Sequence, residues 1–282
     1  MPTIAIIGAG AMGAAVGRRL VANGARVLTA AQGRSAATLA RIRDAGMIPA
    51  DPDALVEAAL ILSIVPPAEA IAVARGLAPA LTAARVKPGF VDCNAIAPAT
   101  MAQVAAILAE TGCAVIDGAI IGAPPRPDGP GPAFHVAGDP DRHTDVLATL
   151  GLKLHRIDGP IGAASALKMV YAGINKGLTG LGTAMFLAAE RSGAAEGLRA
   201  EMADSAPEVL ARLTRAIPDM YSKAHRWVAE MHEIADFLGE DDPAAPLYRA
   251  LGAVYARIAE DRAGDGTAIA DLDAALGGRR EA

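Results

Sequence analysis

Gly8-Ala9-Gly10-Ala11-Met12-Gly13 is the stretch on which the reading of this 282-residue chain turns. It follows the apolar run Thr3–Ile7, which reads as a buried strand. It opens Met12–Val21, which reads as a helix stopped by Asn23-Gly24. In that context the first glycine allows a tight turn and the second lets a pyrophosphate approach the backbone. The third lets helix and strand pack closely, and the helix N-terminus stabilises the anion. A lone GxGxxG is weak evidence. Its place at the head of a repeating α/β pattern points to dinucleotide binding, against a glycine turn kept only for packing.

Reading outward, Arg26–Thr29 is the next strand, and Leu60–Val65 is a third, ended by Pro66-Pro67. Glu69–Leu77 reads as a helix, Phe90–Cys93 as a strand after the Lys87-Pro88-Gly89 turn, Pro98–Thr111 as a helix and Ala114–Asp117 as a strand. Gly122 to Pro132 is dense in proline and glycine, Pro127 included, and reads as a stiff loop. Ala133–Ala137 and Lys153–Ile157 read as strands around a helix from Asp139 to Leu150. After Gly159-Pro160 no strand pattern remains; Ile161–Arg191 reads as one long helix, followed by shorter ones. The expected fold class is α/β: a Rossmann-like, doubly wound, mostly parallel sheet over residues 1–159, followed by an all-helical domain over 160–282.

Composition narrows the function. Hydrophobic residues are 52% of the chain and charged residues 20%, enough for a sizeable core and too apolar for a disordered protein. A net charge of −5 without basic runs argues against nucleic acid as the partner. Two cysteines, Cys93 and Cys113, make neither a disulfide framework nor a cysteine-rich metal site. His135, His143, His155, His225 and His232 show no zinc-ligand spacing, and His232-Glu233 lacks the second histidine of HExxH. With no transmembrane run and no secretory signal, the expectation is a soluble, cytoplasmic protein that avoids membranes and acts on a small molecule.

Cofactor choice is read after the second strand. NAD enzymes usually carry a carboxylate there for the ribose 2′-hydroxyl. Thr29-Ala30-Ala31-Gln32-Gly33-Arg34-Ser35 carries none. Arg34 can pair with a 2′-phosphate and Ser35 can donate to it, which favours NADP over NAD. The alternative is that Arg34 is a solvated loop charge.

Ser165, Lys168, Ala172, Asn175 and Thr179 recur at spacings of three and four and share one helical face. Leu167, Tyr171, Ile174, Leu178, Leu181 and Met185 form a separate apolar stripe. A lysine in so apolar a segment is either a snorkelling side chain or a functional amine. Beside a nicotinamide, desolvation and positive charge would lower its pKa toward neutrality and suit it to acid/base catalysis. Spacing alone leaves both readings open.

These residues resemble the β-hydroxyacid dehydrogenases, the group of 3-hydroxyisobutyrate and 6-phosphogluconate dehydrogenases, over nearly the whole chain. Asp117-Gly118-Ala119-Ile120-Ile121-Gly122-Ala123 stands at the family's D-A-P-V-S-G-G segment. Gly159-Pro160-Ile161-Gly162-Ala163-Ala164-Ser165-Ala166-Leu167-Lys168 stands at its G-P-x-G-x-G-x-x-x-K segment, with the lysine in register. The resemblance implies that Lys168 is the general acid/base for hydride transfer between NADP and a hydroxy or carbonyl carbon. It implies a cofactor site made by Gly8, Gly10, Ala11, Met12, Gly13, Arg34, Ser35, Val65, Pro66 and Asn94. Ile121, Gly122, Ala123, Ala172, Asn175 and Lys223 are implied on the substrate side, in a cleft near the carboxyl ends of the strands. It also implies a homodimer through the helical domain, and the C-terminal half is most similar to a poorly characterised, phosphogluconate-dehydrogenase-like branch.

Several positions depart from the family. Its substrate-carboxylate serine is Ile121 here, its two asparagines after the lysine are Tyr171 and Ala172, and a threonine of its S-T-I-S-P segment is Ala95. The expected site is therefore less polar. Two rival readings follow: an imine reductase-like enzyme, against which Lys168 argues, and a non-catalytic dinucleotide-binding protein. Lys223-Ala224-His225-Arg226-Trp227 with Glu230 reads either as an amphipathic helix with Trp227 packed inward or as part of the substrate pocket.

Overall fold

The computed structural model describes residues 1–126 and 129–278. Pro127 of the expected stiff loop lies outside them. The elements run β1 (Thr3–Ile7), α1 (Ala11–Ala22), β2 (Arg26–Ala30), α2 (Ala36–Asp44), β3 (Ile48–Ala50), α3 (Pro52–Leu55), β4 (Leu60–Ser63), α4 (Ala70–Ala83), β5 (Gly89–Asp92), α5 (Pro98–Leu108), β6 (Ala114–Ile121), β7 (Ala133–Ala137), α6 (Asp145–Thr149), β8 (Lys153–Arg156), α7 (Ala163–Arg191), α8 (Ala195–Ser205), α9 (Pro207–Tyr221), α10 (Ala224–Leu238), α11 (Ala245–Ala263) and α12 (Thr267–Ala275). The chain divides into two compact units, Met1–Lys168 and Met169–Ala282, and the division falls within α7. No helix among the described residues is long and apolar enough to cross a membrane.

In the first unit eight strands form one sheet in the order β3-β2-β1-β4-β5-β6-β7-β8. Every pair is parallel except β6 with β7. The chain leaves β1 in one direction and resumes beside it at β4, the strand-order reversal at which such sheets bind ligands. Two apolar layers cover the faces. One joins Ile4, Ile6, Val16, Leu20 and Leu62; the other joins Ala5, Ile61, Leu81, Phe90 and Val104. The continuous apolar runs Thr3–Ile7 and Leu60–Ser63 suit strands covered on both sides.

Several boundaries differ from the sequence expectation, each for a local reason. The third expected strand stops at Ser63, not Val65, because the Val65 N–H goes to the Asn94 side chain and not to the ladder. The expected helix from Asp139 begins only at Asp145. Asp139 turns its carboxylate back onto the N–H groups of His143 and Thr144, and Arg142 holds a positive φ of 58°. The strand expected to end at Asp117 continues to Ile121, because β7 folds back antiparallel against it. The long helix starts at Ala163, after Gly162 takes a φ of 103°. The helix from Pro98 ends at Leu108, followed by a tighter turn through Thr111. The elements α2, β3 and α3 between Ala36 and Leu55 carry no pattern strong enough to read in advance.

The second unit is helical. Its core gathers Met169, Phe186, Leu213, Ile217, Met231, Ile234, Leu251 and Tyr255. The inward side of α7 is the one with small residues. A Cβ at Gly180 would lie 2.9 Å from Leu251 of α11, and one at Gly182 would lie 2.6 Å from Leu213 of α9. Met169, Phe186 and Leu187 of that helix are buried with them, while Tyr171, Ile174, Leu181 and Met185 are exposed.

Candidate active site

The glycine turn packs so closely on its neighbours that no side chain fits at Gly8 or Gly13. Gly8 has a φ of 98°, and a Cβ there would sit 2.2 Å from the Ile64 carbonyl oxygen. A Cβ at Gly13 would sit 2.0 Å from the Gly8 carbonyl oxygen, so α1 can pack on β1 only through glycine. Gly10 differs: nothing lies within 4 Å of the position its Cβ would take. Gly10 is the N-cap of α1, no side chain caps the helix, and its first turn holds no acid. An open backbone concavity at an uncapped, acid-free helix start fits a pyrophosphate. The residues present therefore fit a dinucleotide.

The same turn lies against the end of β4, where the Val65 Cγ1 is 2.8 Å from the Gly8 Cβ position. Gly8, Gly10, Ala11, Met12, Gly13, Val65 and Pro66 thus fall together. Asn94 reaches them from β5: its Oδ1 accepts from the Val65 N–H at 2.7 Å. Its Nδ2 donates to Ser63 Oγ at 3.0 Å and Asp92 Oδ2 at 2.9 Å, and its N–H donates to Asp92 Oδ1 at 2.9 Å. Buried Asn94 thereby ties the cofactor edge to Asp92.

Beyond β2, Arg34 and Ser35 are both exposed. Ser35 is the N-cap of α2, accepting from the Thr38 N–H at 3.3 Å. Arg41, one turn past Thr38, was not anticipated. Its Nε donates to the Ala9 carbonyl at 3.3 Å and its Nη2 to Thr38 Oγ1 at 2.9 Å. It carries a guanidinium to the glycine turn from a helix the sequence pattern did not disclose.

Asp117 organises the other half. It is buried, and it pairs in register with Asp92 across β5 and β6. Its Oδ2 accepts from the N–H groups of Gly162 at 2.9 Å, Ala164 at 2.7 Å and Ser165 at 3.0 Å. Its Oδ1 accepts from Ser165 Oγ at 2.6 Å. A carboxylate that satisfies the free N–H groups of a helix start also complements the helix dipole. Lys168 follows Ser165 by three residues, on the same helical face.

Electrostatics single out this cluster. Burial lowers the Lys168 amine, and its interactions with Cys93 and Asp92 oppose that shift. Burial pushes the Asp92 carboxyl up to about 6 against its Asn94 hydrogen bonds; Asp117 adds to the rise and Lys168 subtracts. Burial also pushes the Cys93 thiol up, so it stays neutral. The arrangement holds a protonable amine at the carboxyl edge of the sheet, and such perturbed groups gather at functional sites.

The remaining expected residues stand as follows. Ile121 ends β6, Gly122 has a φ of 127°, and Ala123 is exposed. In the second unit Ala172 packs against the helical core. The Asn175 amide donates to the Tyr171 carbonyl, and its Oδ1 accepts from Arg212. Lys223 Nζ donates to Asp219 Oδ2 at 2.6 Å. Trp227 stands edge-on to Tyr255, with the Lys176 ammonium 5.3 Å from its ring.

Fold and glycine-turn geometry define a dinucleotide-binding protein with a Rossmann-like sheet. Residues 3–152, more than half of the chain, match the family model described as the NAD binding domain of 6-phosphogluconate dehydrogenase. The chain belongs to that family, among the 6-phosphogluconate dehydrogenase-like β-hydroxyacid dehydrogenases, in a poorly characterised branch. Residues 189–258 match a domain of unknown function, DUF1932. No curated protein matches the sequence. Among solved structures, a conserved protein of unknown function, described as similar to 3-hydroxyacid dehydrogenases, superposes with a TM-score of 0.77 at 24% identity, over 93% of this chain and 98% of its own. A conserved hypothetical protein from Sinorhizobium meliloti 1021 gives 0.76 at 25% identity, over 98% and 97%. The Mycobacterium tuberculosis 3-hydroxyisobutyrate dehydrogenase, solved with L-serine, gives 0.76 at 21% identity, over 98% of both chains.

Proposed function

We propose that the protein is an NADP-dependent oxidoreductase that interconverts a hydroxyl and a carbonyl, with Lys168 as general acid/base. The observation that carries this is the desolvated Lys168 amine, one helical turn past the Asp117–Ser165 clamp and within electrostatic reach of Asp92 at the end of β5. A bound nicotinamide supplies or accepts the hydride. In reduction Lys168 gives its proton to the oxygen as the carbon receives hydride; in oxidation the neutral amine removes the hydroxyl proton. The open backbone at Gly10 and the α1 N-terminus hold the pyrophosphate. Arg34, with Ser35, pairs with the 2′-phosphate, in a loop that offers no carboxylate for a free 2′-hydroxyl. Ile121, Gly122 and Ala123 contribute an apolar substrate edge, and a second copy of the chain covers the exposed stripe of α7.

Loss of reduced-nicotinamide absorbance over a panel of 2- and 3-keto acids, aldehydes, ketones and cyclic imines tests the reading. Turnover of carbonyls supports it; turnover of imines alone favours imine reduction. That second reading draws on Ile121 and Ala172, which stand where a hydroxy-acid enzyme presents polar groups. NADPH binding without turnover of any class would leave only the non-catalytic binding protein.

A further inference from the structure

Asp92 is a charged side chain sealed at the end of an otherwise apolar strand, Gly89-Phe90-Val91-Asp92. A carboxylate in that position costs free energy unless something compensates it. Asn94 supplies two donors, and neutral donors alone compensate a buried charge only in part. The sheet register sets Asp92 beside Asp117, whose charge is already spent on four donors at the start of α7. One of these is Ser165, and Lys168 follows it one helical turn along the same face. The clamp that seats α7 on β6 therefore sets Lys168 within electrostatic reach of Asp92.

We propose that Asp92 is the counter-charge and positioning residue of Lys168, holding its amine protonated and aimed at the carboxyl edge of the sheet. This rests on the reading of Lys168 as the acid/base. The charged and titratable groups bearing on Lys168 are Asp92 of β5 and Cys93, which follows that strand; Asp117 of β6 and Asn94 bear on Asp92 in turn. Cys93 is a neutral thiol, so Asp92 is the only one of these that offers Lys168 a compensating charge. The two also have complementary limits. Asp92 is mostly ionised at neutral pH and becomes neutral as pH falls through about 6. Burial drives the lysine toward its neutral form, and an ionised Asp92 resists that. Asp92 also reaches the cofactor edge through Asn94 and the Val65 N–H. A single carboxylate thus couples the amine to the strand end expected beside the nicotinamide.

The test reads Lys168 directly, without cofactor or substrate. A brief pulse of an amine-acylating reagent at pH 7 labels neutral amines, and peptide mass spectrometry gives the Lys168 rate, with exposed Lys153 as internal standard. Removing an opposite charge lowers an amine pKa by about one unit or more, which raises its neutral fraction about tenfold. Asp92→Asn should therefore accelerate Lys168 labelling about tenfold and leave Lys153 unchanged. Asp92→Glu, which keeps the charge, should restore the slow rate. Asp92→Ser, uncharged and still an acceptor for the Asn94 amide, replaces Asp92→Asn if that variant does not fold. A Lys168 rate within twofold of the unmutated protein in the folded neutral variant overturns the proposal. So does equal acceleration in the Glu variant, since geometry and not charge would then be responsible. Accelerated labelling with an unchanged pH profile of turnover would uphold the charge coupling and count against Lys168 as the acid/base.

Discussion

Ser165 Oγ donates a 2.6 Å hydrogen bond to Asp117 Oδ1, joining the first turn of α7 to the sixth strand of the sheet. Both residues are buried, and the same carboxylate takes three N–H groups from the glycine turn and helix start. Asp117→Ala leaves these donors unpaired away from water, a loss of about 3 kcal/mol or more. Ser165→Ala removes one bond and should cost about 1–2 kcal/mol. Urea unfolding of the two variants checks the order. An Asp117→Ala protein as stable as the parent would show that the clamp contributes little.

Cofactor selectivity is the second prediction. A charge-assisted contact to phosphate is worth roughly 1.5–3 kcal/mol, so Arg34→Ala should weaken NADPH binding about tenfold or more. NADH binding should change little, because it has no 2′-phosphate to lose. Fluorescence titration of both cofactors on both proteins decides it. Equal affinities in the unmutated protein would refute the assignment.

What could be read in advance follows from how local each signal is. The strand–Gly8–Gly13–helix unit is contiguous, and its glycines are dictated by contacts a few residues away, so β1, α1 and the sheet class were legible. The α2–β3–α3 stretch was not. Ile48-Pro49-Ala50 is a three-residue edge strand with no alternation, and α2 buries only Ile42. Arg41 was lost with it, because its contact with Ala9 spans 32 positions. Lys168 stands out in the sequence by its apolar surroundings and its register with a motif, and its role as acid/base is the proposal that rests on them. Asp117 stood in a quoted motif, yet its partners lie 45 to 48 residues away, beyond any spacing rule. Asp92 had a usable signal, a lone charge closing an apolar run, and that run was read only as a strand.

Acid sensitivity should centre on Asp139. Burial raises its pKa, but the Thr144 hydroxyl and N–H, Arg156 and the His143 N–H together outweigh burial and hold it down at about 2. A depressed carboxyl contributes stability that is full above the ordinary value of 3.8 and is lost as pH falls through about 2. Asp139→Asn should cost roughly 1.5–3 kcal/mol at pH 7 by removing charge-assisted bonds. Its stability should then fall less steeply between pH 4 and 2. Denaturant midpoints across that window give the comparison; parallel curves for variant and parent would contradict the assignment.

Assembly provides the fourth. Tyr171, Ile174, Leu181 and Met185 line one side of α7, and Ile174 is 65% exposed. An exposed apolar stripe of that length on a 29-residue helix is the kind of surface that association covers. We expect a homodimer, and Ile174→Glu with Leu181→Glu should yield monomers at micromolar concentration. Light scattering reads the mass directly. A monomeric parent protein would remove the basis for the expectation.

The last prediction concerns Lys168 itself. Hydride delivery to a carbonyl leaves negative charge on oxygen, and a positioned acid must neutralise it. Lys168 is the amine that the Asp117–Ser165 clamp presents at the carboxyl edge of the sheet, and burial already lowers its pKa toward the working range. Lys168→Met keeps the stem and removes the proton donor. It should bind NADPH as the parent does and lose about 10²–10⁴ in kcat. Lys168→Arg should also be slow, since a guanidinium does not release its proton near neutral pH. In the parent, carbonyl reduction needs the ammonium, so its rate should fall as pH rises through the lowered Lys168 pKa. Oxidation needs the neutral amine and should rise over the same range. Steady-state rates in both directions, with cofactor affinity measured separately, distinguish this from a structural lysine. A Lys168→Met protein that binds cofactor and turns over at the parent rate would falsify it.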